Sequence, residues 1–141
     1  MLLIREVPAT ELTVATRILA HLGALPRGGR LALRVGADVV YLAGREVLAE
    51  VMTPYDVAAV RLADATVLAG DPPDDAERYL AALRSDGSAQ VAAAARDGGI
   101  VTGTALGAVV ERLTGLEWGE ALDRARGLGG LVGAYPAEAS G

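Results

Sequence analysis

From Pro8 to Gly23 the apolar residues Leu12, Ala15, Ile18, Leu19 and Leu22 recur at the spacing of one helix face, which predicts an amphipathic helix. Thr10 is placed to cap it and Gly23 to stop it. Ahead of it, Leu2 to Val7 reads as a short strand or an extended arm. Beyond the Pro26-Arg27-Gly28-Gly29 loop the period changes to two. Leu31, Leu33 and Val35 alternate with Arg30, Ala32 and Arg34, a half-buried strand, and Gly36-Ala37-Asp38 turns it into Val39–Leu42 as a hairpin. Arg45 to Val51 predicts one or two helical turns. Thr53-Pro54-Tyr55-Asp56 is a turn, because proline presets its own φ and pushes Thr53 toward extended geometry. Val57–Leu62 and Thr66–Leu68 form a second hairpin around Ala63-Asp64-Ala65.

After Gly70-Asp71-Pro72-Pro73 the pattern is helix-rich. Helices are predicted over Asp74–Arg84 with Leu80 and Leu83 inward, Ser88–Arg96, Leu106–Leu113, and from Leu116 or Glu117 to about Leu128, with a short strand at Ile100–Thr102. The glycines at 127, 129, 130 and 133 follow a helix rather than a strand, so they read as helix termination and close packing. No repeat or linker divides the chain. Residues 1–135 are expected to form a single domain and 136–141 a flexible C-terminal tail. Two antiparallel hairpins among helices indicate an α/β domain that is not a purely parallel, doubly wound one.

Composition narrows the chemistry. The 141 residues contain no cysteine and a single histidine, His21. All 13 basic residues are arginine, so there is no lysine, and asparagine is absent as well; this bias reads as coding from a GC-rich genome. Thiol nucleophiles, thiolate metal sites, Schiff bases and the lysine of a phosphate loop are excluded. A formal net charge of −5 argues against a nucleic-acid groove. No apolar run is long enough to span a membrane, and the opening Met1–Arg5 is too short for a signal peptide. The expectation is a cytoplasmic protein without nucleic-acid or membrane partners. With 52% hydrophobic residues but no Phe, its core must depend on close approach of small side chains.

The densest carboxylate group is Asp71, Asp74, Asp75 and Glu77. Asp74, Asp75 and Glu77 are candidate general acids or bases, or oxygen ligands for a hard cation. Helix capping after Pro72-Pro73 accounts for the same residues more simply. Gly28, Gly29, Arg30 and the nearby Arg34 are candidates for holding an anion; a plain glycine turn with solvated arginines is the alternative. Gly98-Gly99 and Thr102-Gly103-Thr104 place hydroxyls at a strand-to-helix junction, where Thr104 reads as a cap. His21 suits a helix C-terminus through its charge. Tyr55 and Tyr135 carry phenolic protons with no base identifiable beside either.

The order of these elements resembles the class II aldolase/adducin family. The residues that carry the resemblance are Ala15–Gly23, Gly29-Arg30-Leu31-Ala32-Leu33-Arg34, Met52-Thr53-Pro54-Tyr55-Asp56-Val57-Ala58-Ala59-Val60 and Val67-Leu68-Ala69-Gly70-Asp71-Pro72-Pro73. The match runs over about residues 11 to 85 as a pattern search. It implies a three-layer α/β/α-type domain with a mixed, largely antiparallel sheet, truncated relative to the family. It also implies a zinc-binding His-x-His pair after residue 85, but Ser88–Arg96 contains no histidine. The asparagine and serine that hold phosphate in the family are Arg30 and Ala32 here. The family's Thr-x-Ser-Gly loop is Leu42-Ala43-Gly44, and its working carboxylate falls near Asp74 or Asp75.

Retro-aldol cleavage needs an electron sink, which the resemblance assigns to a divalent metal. With those histidines missing, the expectation is a non-catalytic relative that needs no metal and no cofactor. It would be a small-molecule binding or protein-interaction module, homo-oligomeric like the family, with a small anionic ligand as a further expectation. The alternative is a metal-independent lyase or isomerase that acts on an anionic substrate through Asp74, Asp75 or Glu77 with Arg30 or Arg34. A subunit completed by a partner protein is a third reading.

Overall fold

The computed structural model describes residues 6–136, and its first element is the helix α1, Glu6–His21. The first hairpin follows as β1, Leu31–Val35, and β2, Val39–Ala43. Two 3-10 turns, Ala49–Val51 and Pro54–Asp56, lead into β3, Val57–Arg61, and β4, Val67–Ala69. Then come α2, Ala76–Ser85; β5, Val91–Ala94; β6, Ile100–Gly103; α3, Leu106–Thr114; α4, Trp118–Ala125; and α5, Gly130–Ala134. The strands form one sheet in the order β4-β3-β2-β1-β5-β6, and every pairing is antiparallel.

Side chains alternate across a strand, so the sheet buries two different sets. Leu31, Tyr41, Ala43, Val57, Ala59, Val91 and Ala93 pack with α1, α3, α4 and α5. Ala32, Val40, Leu42, Val60, Ala92 and Ala94 pack with Tyr79, Leu80 and Leu83 of α2. The result is three layers, with α2, among the described residues, alone on its side. Trp118 and Tyr135 close the edge of the larger core in a T-shaped contact, ring centroids 6.1 Å apart. At the far margin of the sheet, Arg112 of α3 donates to the carbonyl of Thr102 on the edge strand β6. No helix among the described residues is long and apolar enough to cross a membrane.

Several expectations change. The helix expected over Ser88–Arg96 is instead the strand β5, whose four residues are buried on both faces. Glu6 and Val7 belong to α1, not to a strand or arm, and the rest of that segment, Met1–Arg5, lies outside the described residues. Thr10 sits inside α1 rather than capping it. The helix expected within Arg45–Val51 shrinks to a single 3-10 turn. The last predicted helix ends at Ala125, and the glycine-rich stretch after it contains α5. Residue Ala105, not Thr104, occupies the N-cap position of α3. Of the expected tail, only Pro136 is described.

Candidate functional site

Because all neighbouring strands run antiparallel, the start of β1, the end of β2, the end of β4 and the end of β5 meet at one end of the sheet. The loops there are the turn before Arg30, Ala43–Arg45, Gly70–Asp75 and the turn after Ala94. They are held together by backbone bonds: Gly44 N–H to the Asp56 carbonyl at 2.8 Å and Arg45 N–H to the Asp71 carbonyl at 2.8 Å. Gly29 is needed for the close approach. A Cβ there would lie 2.8 Å from Pro26 Cδ and 3.0 Å from the Ala94 methyl.

The side chain of Arg30 fills the space between these loops. Its Nε donates to the Ala43 carbonyl at 3.3 Å, Nη1 to Gly28 at 3.0 Å, and Nη2 to Gly44 at 3.2 Å and Arg45 at 2.8 Å. Asp75 Oδ1 lies 3.6 Å from Nη1, and the Arg30 side chain is only 13% exposed. A guanidinium has five N–H groups in a fixed fork. With four bonds to carbonyls and a carboxylate beside it, it has little left with which to grip an anion. The loops here present oxygen acceptors to a cation, the reverse of a phosphate cradle built from N–H donors. The Gly29 N–H is likewise used within its turn, donating to the Pro26 carbonyl at 2.9 Å.

Of the candidate carboxylates, Asp74 and Asp75 come to this cluster and Glu77 does not. Asp74 pairs with Arg45, which also approaches Asp71 at 3.4 Å. Asp75 stands between Arg30 and Arg78, the latter at 3.8 Å. It occupies the N-cap position of α2 without a side-chain capping bond, so capping does not account for it. Glu77 points along α2 to Arg84, whose hydrogen bond holds its carboxyl below the usual range. Arg34 is separated from Arg30 by the length of β1, about 13 Å at the usual rise per residue. Its Nη2 donates to the Ala37 carbonyl at 2.8 Å.

Sequence reasoning passed over Arg45, Arg78 and Tyr79. The Tyr79 hydroxyl accepts a hydrogen bond from the Arg30 backbone N–H, and burial pushes its pKa up. Tyr79 and Arg78 lie four and three residues after Asp75, a helix spacing that could have flagged them. Beside the cluster is a cavity of about 210 Å³ lined by Arg27, Gly28, Asp75, Arg78 and Gly98. A cavity of about 570 Å³ lies elsewhere, between α1, Pro54–Val57 and Leu131.

A zinc-type site does not fit this chain. The β5–β6 hairpin that follows α2 carries no histidine, and His21 is exposed at the end of α1. Among the described residues, no three histidine, aspartate or glutamate side chains are grouped as metal donors.

No family model matches the chain, and no curated protein matches it either. Solved structures do. The aldolase/epimerase/decarboxylase-type protein YgbL from Escherichia coli superposes with a TM-score of 0.55 at 19% identity, over 61% of this chain and 42% of its own. An L-fuculose 1-phosphate aldolase from Glaciozyma antarctica PI12 gives 0.55 at 19% identity, over 62% of this chain and 39% of its own. A further L-fuculose 1-phosphate aldolase gives 0.57 at 12% identity, over 65% and 45%. The fold is class II aldolase-like. This class II aldolase-like chain spans less than half the length of each of those structures.

Proposed function

We propose that this class II aldolase-like domain does not catalyse aldol chemistry and acts as a binding or interaction module that self-associates. The observation that carries the reading is Arg30. Its guanidinium occupies the loop cluster and is bonded to the carbonyls of Gly28, Ala43, Gly44 and Arg45. A substrate anion would have to displace it and break those four bonds, two of which, to Ala43 and Gly44, are part-buried. Asp74 is paired with Arg45, and Asp75 lies 3.6 Å from Arg30 and 3.8 Å from Arg78, with its buried Oδ1 making no hydrogen bond.

The test is a direct assay. Purified protein is incubated with L-fuculose 1-phosphate, the compound named for two of the structural neighbours, with and without added zinc. The expected result is no cleavage above the buffer rate in either arm. Cleavage that is lost in Asp75→Asn while the thermal midpoint holds would overturn the reading in favour of a lyase working through carboxylates and arginines. Sedimentation of the same sample reads the self-association.

A further inference from the structure

Large apolar side chains stand exposed on the first turns of α1 and along the two 3-10 turns packed against that helix. Val7, Leu48, Val51 and Tyr55 expose 68%, 66%, 65% and 97% of their surface. The only other such residue among those described is Val67 on the edge strand β4. Leu48 and Val51 are tied by the Val51 N–H to Leu48 carbonyl bond that closes the first 3-10 turn, and residues three apart in such a turn lie one above the other. Next to Tyr55 opens the cavity of about 570 Å³, walled by Ala9, Pro54, Val57 and Leu131. Grouped apolar side chains beside a groove are the mark of a docking surface.

We propose that this face docks a basic, amphipathic helix of a partner protein. Charge selects the sign. Glu46 and Glu50 stand exposed on either side of Leu48 in the chain, and Glu6 lines the cavity. None of the three has an ion pair among the described residues. The only cation between residues 45 and 56, Arg45, is engaged by Asp71 and Asp74. A cation brought by the partner therefore meets unmatched glutamates at the border of an apolar patch. A second copy suits the face less well, since two-fold pairing would set these glutamates against their own kind. The backbone selects the helix. The N–H groups of Val51, Thr53 and Asp56 are spent on the Leu48 carbonyl, the Asp56 carboxylate and the Thr53 carbonyl, so an extended strand finds no ladder to join. A helix satisfies its own backbone and offers side chains alone. The proposal rests on reading the domain as an interaction module and supplies the chemistry of what it binds.

The probe is a labelled peptide of leucine and lysine, about five helical turns long with its leucines on one face, titrated with the full chain and read by fluorescence anisotropy. The comparators are the same pattern with glutamate for lysine, and the same composition shuffled so that no apolar face forms. The basic helix should bind about tenfold or more tighter than either. Equal binding of all three, or none, overturns the proposal. Leu48→Ser combined with Val51→Ser should weaken binding by about tenfold, the effect of losing two apolar anchors, while Val67→Ser on β4 should leave it within about twofold. Glu46→Gln with Glu50→Gln should weaken it about threefold, and Glu111→Gln with Glu117→Gln, the same change of net charge on α3 and before α4, should not. If both glutamate pairs act alike, net charge alone attracts the peptide and the proposal fails. If the serine pair abolishes self-association in sedimentation and leaves peptide binding intact, the face belongs to a second copy, which also overturns it. The cleavage assay reads the interaction-module reading by itself, so failure of that reading and failure of this proposal are told apart.

Discussion

The backbone N–H of Arg30 donates a 2.9 Å hydrogen bond to the phenolic oxygen of Tyr79, a residue 49 positions away. This single contact fastens the start of β1 to α2, the only helix on its side of the sheet among the described residues. Tyr79→Phe keeps the ring and removes the acceptor, leaving a part-buried N–H unpaired. The expected cost is about 1–3 kcal/mol, read as a fall of several degrees in the thermal midpoint. An unchanged midpoint would mean that water replaces the hydroxyl.

Arg30 itself has a larger expected effect. Arg30→Ala removes four hydrogen bonds to carbonyls and leaves Asp75 with Arg78 as its remaining arginine, for a cost of about 3 kcal/mol on the scale of a broken, part-buried ionic network. Arg30→Lys should recover less than half, because an ammonium cannot reproduce the planar fork. Equal urea midpoints for the lysine variant and the parent would show that charge alone suffices.

Gly29→Ala tests the close approach of the loops. The added methyl would meet the Pro26 ring at 2.8 Å and the Ala94 methyl at 3.0 Å. Displacing them should cost about 1–3 kcal/mol by overpacking. Gly87→Ala is the matched control, since nothing lies within 4 Å of its position. Denaturant unfolding of the pair should separate them clearly.

The first half of the chain was legible because its periods are clean. Leu31, Leu33 and Val35 alternate, and the structure pairs Leu33 with Tyr41 and Val35 with Val39 in the expected hairpin. Ser88–Arg96 failed for a physical reason. Val91–Ala94 is a continuous apolar run with no polar face, because helices cover it on both sides. Such a run carries neither period, and alanine's helix propensity then misleads until tertiary pairing overrides it. In the candidate site, Arg30 and Asp75 stood out as residue types, but the contacts they make could not be read from the sequence. Glycine next to arginine suggests anion capture, and only the fold reveals that the nearest acceptors are the chain's own carbonyls. The small residues of β5 give a further prediction. Ala93→Leu should destabilise by about 1–3 kcal/mol, since its methyl is fully buried in the larger core.

Two carboxylates should move stability in opposite directions with pH. Burial raises the pKa of Glu11 above its ordinary 4.5, so the contribution of this group is fully present below that value and lost as pH rises through the folded one. Glu11→Gln should therefore stabilise the protein at neutral pH, with the gain vanishing below about pH 4.5. Glu77 is lowered by Arg84, so its contribution is present above 4.5 and lost as pH falls through the folded value. Glu77→Gln should lower the midpoint slightly at neutral pH and leave it unaltered in strong acid. Melting curves of the three proteins from pH 3 to pH 8, values set by these ordinary carboxyl ranges, check both signs.

The guanidinium that Arg112 lays against the Thr102 carbonyl has a bearing on how the protein behaves when concentrated. A sheet's outer rim is a template onto which foreign backbone can add, and that route leads to fibrils. Here a bulky cation sits across the rim of β6, and the opposite rim, β4, is only three residues long. Neither margin offers an uninterrupted row of peptide groups, so an alanine- and valine-rich sheet with so few large side chains can stay dispersed in a crowded solution.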